Sequence, residues 1–310
     1  MKLVTYDTSK QTTRFGAVDG DSIVDLANVA TTLGEDSRSV TSALAFLQGG
    51  EKARLLAAEL LLDVAARQSA LRTPIAEATF RPAITNPPKI LCLAGNYAEH
   101  IREGGAEVSP KTNLVPQVFV KPTTTLIGHG ASIRPPGQIC EAVDYEGELV
   151  AIMGKGGYRI PASEALSYVG GYSVFNDVSG RKLNITVERN NNPRNAFFDW
   201  LNGKWFDTFG PLGPYLVTPD EVGDPQTLAL QTRVNGVVRQ KTSTADMIFS
   251  IAETIEWISQ FVTLEAGDVI ATGTPSGVGS TTKTFLKEGD VVEVEIERVG
   301  LLRNPVGAAL

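Results

Sequence analysis

Sulfur and imidazole are scarce in this chain. Its 310 residues hold two cysteines, Cys92 and Cys140, and two histidines, His100 and His129. The cysteines sit in unrelated segments, which excludes a disulfide framework and makes a reducing, cytoplasmic setting the expectation. Cys92 lies in the apolar run Ile90-Leu91-Cys92-Leu93-Ala94, where cysteine serves as a small core residue. No Cys/His cluster is available for a zinc site. Runs of Lys and Arg interleaved with aromatics are also missing. With a net charge of -7 and a sequence pI near 5.1, this argues against nucleic acid as a general partner. Long apolar runs are absent too. Residues 1–7 carry no stretch of signal-peptide length, so no secretory signal is expected. The most apolar helical segment, residues 55–66, is broken by Glu59 and Asp63 and is too short to span a bilayer.

What is present reads as two regions. Residues 1–84 form a small α+β module in this reading. Short strands at 2–6 and 15–18 lead through Asp19-Gly20-Asp21 into 22–26. Helices are expected over 38–48 and 51–71, the second amphipathic through Leu55, Leu56, Leu62 and Ala66. The proline-rich stretch 81–88 serves as a linker. Residues 85–310 change character, with short β runs at 117–121, 148–153, 172–176, 215–218, 228–234, 237–239, 269–272 and 291–297. Asn235-Gly236 marks a type I′ hairpin, and one clear helix spans 250–261. Strands outnumber helices without strict βαβ alternation. The fold class is therefore α+β and β-rich, a mixed roll or sandwich rather than a doubly wound sheet.

Three acids stand where they can hold a hard cation. Glu146 and Glu148 open the apolar run 149–153, and residues two apart on a strand share a face. Asp177 ends a second apolar run. Oxygen ligands alone suit magnesium, manganese or calcium. The same residues are also consistent with edge-strand charges and, for Asp177, a turn cap. His100 and Glu103 are three apart on a short helix, where a carboxylate can orient an imidazole as general base. Such a pair is equally a common surface feature. Asn96, with Glu99, is the expected helix cap. Arg181 can fork a substrate carboxylate or join a surface ion pair. Lys204, between Trp200 and Trp205, either snorkels or faces a developing negative charge. The stretch Thr272-Gly273-Thr274-Pro275-Ser276-Gly277 offers backbone amides to an anion or simply makes a tight connection. It lacks the lysine of a P-loop.

Taken in order, these motifs resemble the fumarylacetoacetate hydrolase family. They are Asn96-Tyr97 with His100 and Glu103, Lys121-Pro122, Asp144-Tyr145-Glu146-Gly147-Glu148, Asn176-Asp177 with Arg181, Gly203-Lys204, and 272–279. The resemblance covers residues 86–300. It implies a mixed β-roll catalytic domain, commonly in a homodimer. It also implies a divalent metal, Mg2+ or Mn2+ with Ca2+ able to stand in, on Glu146, Glu148 and Asp177. His100, Glu103 and Lys204 are then the catalytic residues, and Arg181, Asn184, Gly273 and Thr274 contact substrate. The stretch Arg181-Lys182-Leu183-Asn184 departs from the family, which often has Asp after the Arg and Gln where Asn184 stands. The main expectation is hydrolysis of a C–C bond in a small 2,4-dioxo acid such as an acylpyruvate or diketo sugar acid. The alternatives are an isomerase or decarboxylase of a related 2-oxo acid, of 2-hydroxyhepta-2,4-diene-1,7-dioate or oxaloacetate type, and a non-catalytic calcium-binding domain. Residues 190–200 are expected to help choose the substrate.

Overall fold

The computed structural model describes residues 1–67, 71–184 and 193–310. A twelve-stranded mixed sheet organises it. From Arg72–Pro74 at one edge it runs through Ser22–Asp25, Thr13–Asp19 and Lys2–Asp7 to Gly210–Val217. It continues through Val169–Asn176, Gly147–Met153, Val269–Ala271 and Ile90–Ala94 to Gln117–Val120 at the far edge. The strands of the first 84 residues are thus continuous with the rest, joined where Lys2 pairs with Val217. An antiparallel four-stranded sheet, Val237–Ser243, Ala229–Val234, Val291–Ile296 and Gly300–Pro305, packs on the larger one. This is the β-rich α+β architecture read from the sequence.

Strand Gly147–Met153 lies in the middle with both faces covered, which is why it reads as an unbroken apolar run. Val150 and Ile152 point into a core shared with Leu3, Phe15 and Phe46 of the first region. Leu149, Ala151 and Met153 point the other way, toward Ile251, Ile255 and Ile258 and toward Leu230 and Val294 of the smaller sheet. Period-two alternation therefore feeds two cores from one strand. Helix Ile251–Ser259 begins with a full capping box, Ser250 and Glu253 satisfying each other's backbone N–H groups. Asn235 and Gly236 both have positive φ, 53° and 76°, as a type I′ hairpin demands.

Some expectations need adjustment. Residues 38–48 form a 3-10 turn, Ser37–Val40, and then the start of a long helical segment, Ala43–Arg67. That segment is broken at Gly50, whose φ of 57° and ψ of -134° are not helical. The last part of the helix expected at 51–71 crosses residues 68–70, outside those described. Strand Gly210–Val217 starts five residues before the expected 215, because two glycines and two prolines disguise it. Gly300–Pro305 was not anticipated. Its Gly, Arg, Asn and Pro hide a strand defined by pairing with Val291–Ile296. No described helix is long and apolar enough to cross a membrane.

Candidate active site

Register brings the three acids together. Gly147 pairs with Asn176 and Glu148 with Phe175, so Asp177 emerges beside Glu146 at the same end of the sheet. The Asp177 N–H donates to the Glu146 carbonyl at 2.8 Å, and the Glu146 N–H donates to Asn176 Oδ1 at 2.9 Å. One carboxylate oxygen from each of Glu146, Glu148 and Asp177 falls within 4.8 Å of the others, and all three residues are buried.

Cations surround this cluster. Lys204 Nζ donates to Glu146 Oε2 and Asp177 Oδ2, both at 2.7 Å. Lys121 Nζ donates to Asp177 Oδ1 at 2.7 Å and to the Val178 carbonyl at 3.1 Å. Arg181 Nε reaches Asp144 Oδ2 at 2.8 Å, while its Nη2 is paired with Glu146 Oε1. Burial would raise the pKa of Glu146, yet Lys204 and Arg181 outweigh it and hold the carboxyl down to about 2. Burial would likewise lower that of Lys204, but Asp177 and Glu146 reverse the effect and raise it. Lys121 goes the other way: its complete burial outweighs Asp177 and lowers it.

Glu148 is left over. Its Oε2 accepts the Gly273 N–H at 2.8 Å, but its buried Oε1 has no hydrogen-bond partner. Burial, reinforced by the charges of Asp177 and Glu146, pushes its pKa well above the ordinary carboxylate range. A buried carboxylate with a bare oxygen and like charges beside it is costly. A hard divalent cation among three carboxylate oxygens removes that cost, so the donor set fits Mg2+ or Mn2+.

The candidate base lies across the cavity. Helix Ala98–Glu103 ends at Gly104 and carries His100, whose Nδ1 sits 2.7 Å from Glu103 Oε1. Glu103 is itself anchored, its Oε2 accepting the Gly277 N–H and the Thr281 hydroxyl, both at 2.8 Å. Burial raises its pKa, but His100, Gly277 and Thr281 together bring it below its ordinary value. With Nδ1 directed at a carboxylate, Nε2 is the nitrogen left to take a proton. His129 plays no part here: its Nδ1 accepts the Arg303 N–H and its ring packs on Phe80.

One cavity of about 70 Å³ gathers these groups. Its polar lining is His100, Glu146, Arg181, Lys204 and Thr274, and its apolar lining Leu93, Ala94, Phe119 and Trp200. Thr274 is fixed by the Gln240 amide at 2.8 Å and itself donates to the Gly147 carbonyl. Gly273, with φ of 90°, lets its N–H turn to Glu148; a Cβ there would meet Asn96 Cβ at 2.9 Å.

Several residues sit differently from expectation. Asn96 does not cap the helix, since Tyr97 occupies that position without a side-chain bond. Asn96 instead staples the Phe249 backbone and the Thr272 carbonyl, at 2.8–3.0 Å. Arg181 is committed to Asp144 and Glu146 and is not a free fork. Asn184 is exposed, does not line the cavity, and donates to the Gln138 carbonyl at 3.2 Å. Of residues 190–200, 190–192 lie outside those described, and among the described ones only Trp200 lines the cavity.

Sequence reading gave no role to Lys121, Asp144 or Gln240. The signal for Lys121 was a lone cation after Val118-Phe119-Val120. Asp144 is wholly buried and accepts the N–H groups of Tyr145 and Ser280 at 2.8 and 2.9 Å, and that of Gly279 at 2.5 Å. Gln240 lies in a strand whose exposed neighbours gave no such hint.

Comparison with known proteins agrees with this geometry. Residues 89–307 match the fumarylacetoacetate (FAA) hydrolase C-terminal family. A mitochondrial oxaloacetate tautomerase of Rattus norvegicus is 41% identical over 84% of this chain and 78% of its own. The oxaloacetate tautomerase YisK of Bacillus subtilis is 40% identical over 75% of this chain and 74% of its own. The solved structure of maleylpyruvate hydrolase from Sphingobium sp. SYK-6, in complex with manganese (II) ion and pyruvate, is similar over 100% of both chains. Its TM-score is 0.74 at 27% identity. On the matched residues and on these relatives, the chain belongs to the fumarylacetoacetate hydrolase family.

Proposed function

We propose that this protein is a divalent-metal-dependent enzyme that moves a proton on a small 2-oxo acid, interconverting its enol and keto forms. The observation that carries the reading is that an oriented imidazole and Glu146, one member of a buried carboxylate cluster, line the same small cavity. Similarity to two oxaloacetate tautomerases supports this ahead of C–C bond hydrolysis. A divalent metal held by Glu146, Glu148 and Asp177 would supply Lewis acidity to the bound 2-oxo acid.

The chain's own residues do the rest. Glu103 holds the imidazole so that Nε2 takes the proton from the carbon next to the oxo group. The C–H electron pair becomes the C=C bond, a proton from solvent completes the enol at the oxygen, and the reverse sequence restores the keto form. Lys204, its Nζ held by Glu146 and Asp177, sets an ammonium beside the oxygen on which negative charge grows. Arg181 holds Glu146 in place, and Thr274 closes the opposite side. The apolar wall of Leu93, Phe119 and Trp200 limits water around the base.

A second reading is the hydrolase, favoured by the likeness to maleylpyruvate hydrolase. There His100 deprotonates water in place of carbon. Decay of enol absorbance, followed with product analysis in Mg2+ and then in EDTA, separates the two. A metal-dependent enol-to-keto conversion without new acids supports the tautomerase. Two acids from a 2,4-dioxo substrate support the hydrolase, and release of carbon dioxide a decarboxylase. Identical rates with and without enzyme and metal refute all three.

A further inference from the structure

We propose that Trp200, set against Phe119, fixes the length of acid the site accepts, so that its substrates are short-chain 2-oxo acids. This rests on the 2-oxo acid reading above. The cavity is small, about 70 Å³. It lies far below the roughly 300–1,000 Å³ of sites for larger ligands. The charged groups and His100 line it together with Leu93, Phe119 and Trp200. An acid whose carboxylate and 2-oxo group meet the charged groups has little of that volume left for further carbons, and the aromatic pair bounds it.

That wall is built to stay put. The Trp200 and Phe119 rings meet edge to face at 5.0 Å, and Phe197 braces the indole from behind at 6.0 Å. Helix Pro193–Asn202 carries Trp200 and hands over to Gly203. Gly203 is pressed onto Gly180, whose N–H it accepts at 2.8 Å and whose carbonyl oxygen would lie 2.1 Å from a Cβ. Lys204 follows at once, with Nζ 5.3 Å from the Phe119 centroid and 5.9 Å from that of Trp200. The cation and the indole thus belong to one clamped segment, four residues apart.

The test is isothermal calorimetry of manganese-loaded protein with pyruvate, 2-oxobutyrate, 2-oxopentanoate, 2-oxohexanoate and 2-oxooctanoate. A methylene that fits or fails an apolar pocket changes affinity by roughly tenfold or more. In the wild type, affinity should fall at least tenfold between 2-oxopentanoate and 2-oxooctanoate. In Trp200→Ala, the ratio of 2-oxooctanoate to pyruvate affinity should rise at least tenfold. In Trp200→Phe, which keeps a ring and protects the fold, it should rise by less. An unchanged ratio in both variants, or a wild type indifferent to length, overturns the inference. A wild type that binds no 2-oxo acid at all overturns the functional reading, so the two failures are distinguishable.

Discussion

Replacing Glu103 with Gln isolates the orienting carboxylate with little change of shape. Three donors converge on it: His100 Nδ1 at 2.7 Å, Gly277 N–H at 2.8 Å and the Thr281 hydroxyl at 2.8 Å. A glutamine offers one acceptor oxygen and one NH2, so at least one of those donors faces another donor. The imidazole then loses either its orientation or its charge partner. A hydrogen bond to a charged group contributes about 1.5–3 kcal/mol, and positioned proton transfer as a whole about 10²–10⁴-fold. A hundredfold loss corresponds to about 2.7 kcal/mol, inside the first range and at the lower end of the second. Turnover should therefore fall about hundredfold in Glu103→Gln, measured as metal-dependent enol–keto conversion. Divalent-metal affinity by calorimetry should stay within about twofold, because Glu103 touches none of the three metal-site acids. Because the pair acts as a unit, Glu103→Gln combined with His100→Asn should be no worse than His100→Asn alone. Activity of Glu103→Gln within twofold of wild type would refute the reasoning.

Other expectations follow from the same structure. Glu148→Gln should weaken divalent-metal binding at least tenfold in a calorimetric titration. It should also raise the melting temperature of metal-free protein at neutral pH, since a carboxyl whose native pKa is raised costs stability as pH climbs above its ordinary unfolded value. Glu103 has the opposite sign. Its pKa is lowered from 4.5, so the stability it adds is present above that pH and is lost as pH falls through the native value. Acid melts of Glu103→Gln should accordingly be flatter than wild type below about pH 4.5. Gly203→Ala places a Cβ 2.1 Å from the Gly180 carbonyl oxygen. Thermal melts should show a loss of about 1–3 kcal/mol, with turnover reduced further as Lys204 is displaced. Prolonged EDTA treatment should abolish turnover, and added Mg2+ or Mn2+ should restore it.

The legibility of the site in sequence follows from how local each relation is. Glu146 and Glu148 two apart on a strand, and His100 and Glu103 three apart on a helix, are relations that spacing alone defines. That Asp177 joins the first pair depends on the register of Gly147 against Asn176, which motif order implied and pairing supplies. Relations across the sheet were not legible. Lys121 reaches Asp177 from the far edge strand's end, and Gln240 reaches Thr274 from the smaller sheet. Asn96 misled for the same reason, since a good capping residue found better partners in Phe249 and Thr272. Arg181 was legible as a functional residue but not in its partners, because the buried Asp144 that claims it lies 37 positions away. In the fold, unbroken apolar runs exposed the central strands. Gly210–Val217 and Gly300–Pro305, rich in Gly and Pro, are strands by virtue of their neighbours.

The central claim is that His100 exchanges a proton with carbon above the three buried carboxylates. Nuclear magnetic resonance of 2-oxobutyrate in D2O, with magnesium-loaded enzyme, tests it most directly by counting C3 deuterium. The account predicts rapid C3 exchange with wild type, little above background with His100→Asn, and none added by enzyme in EDTA. Equal exchange with wild type and His100→Asn, or exchange indifferent to EDTA, would contradict it.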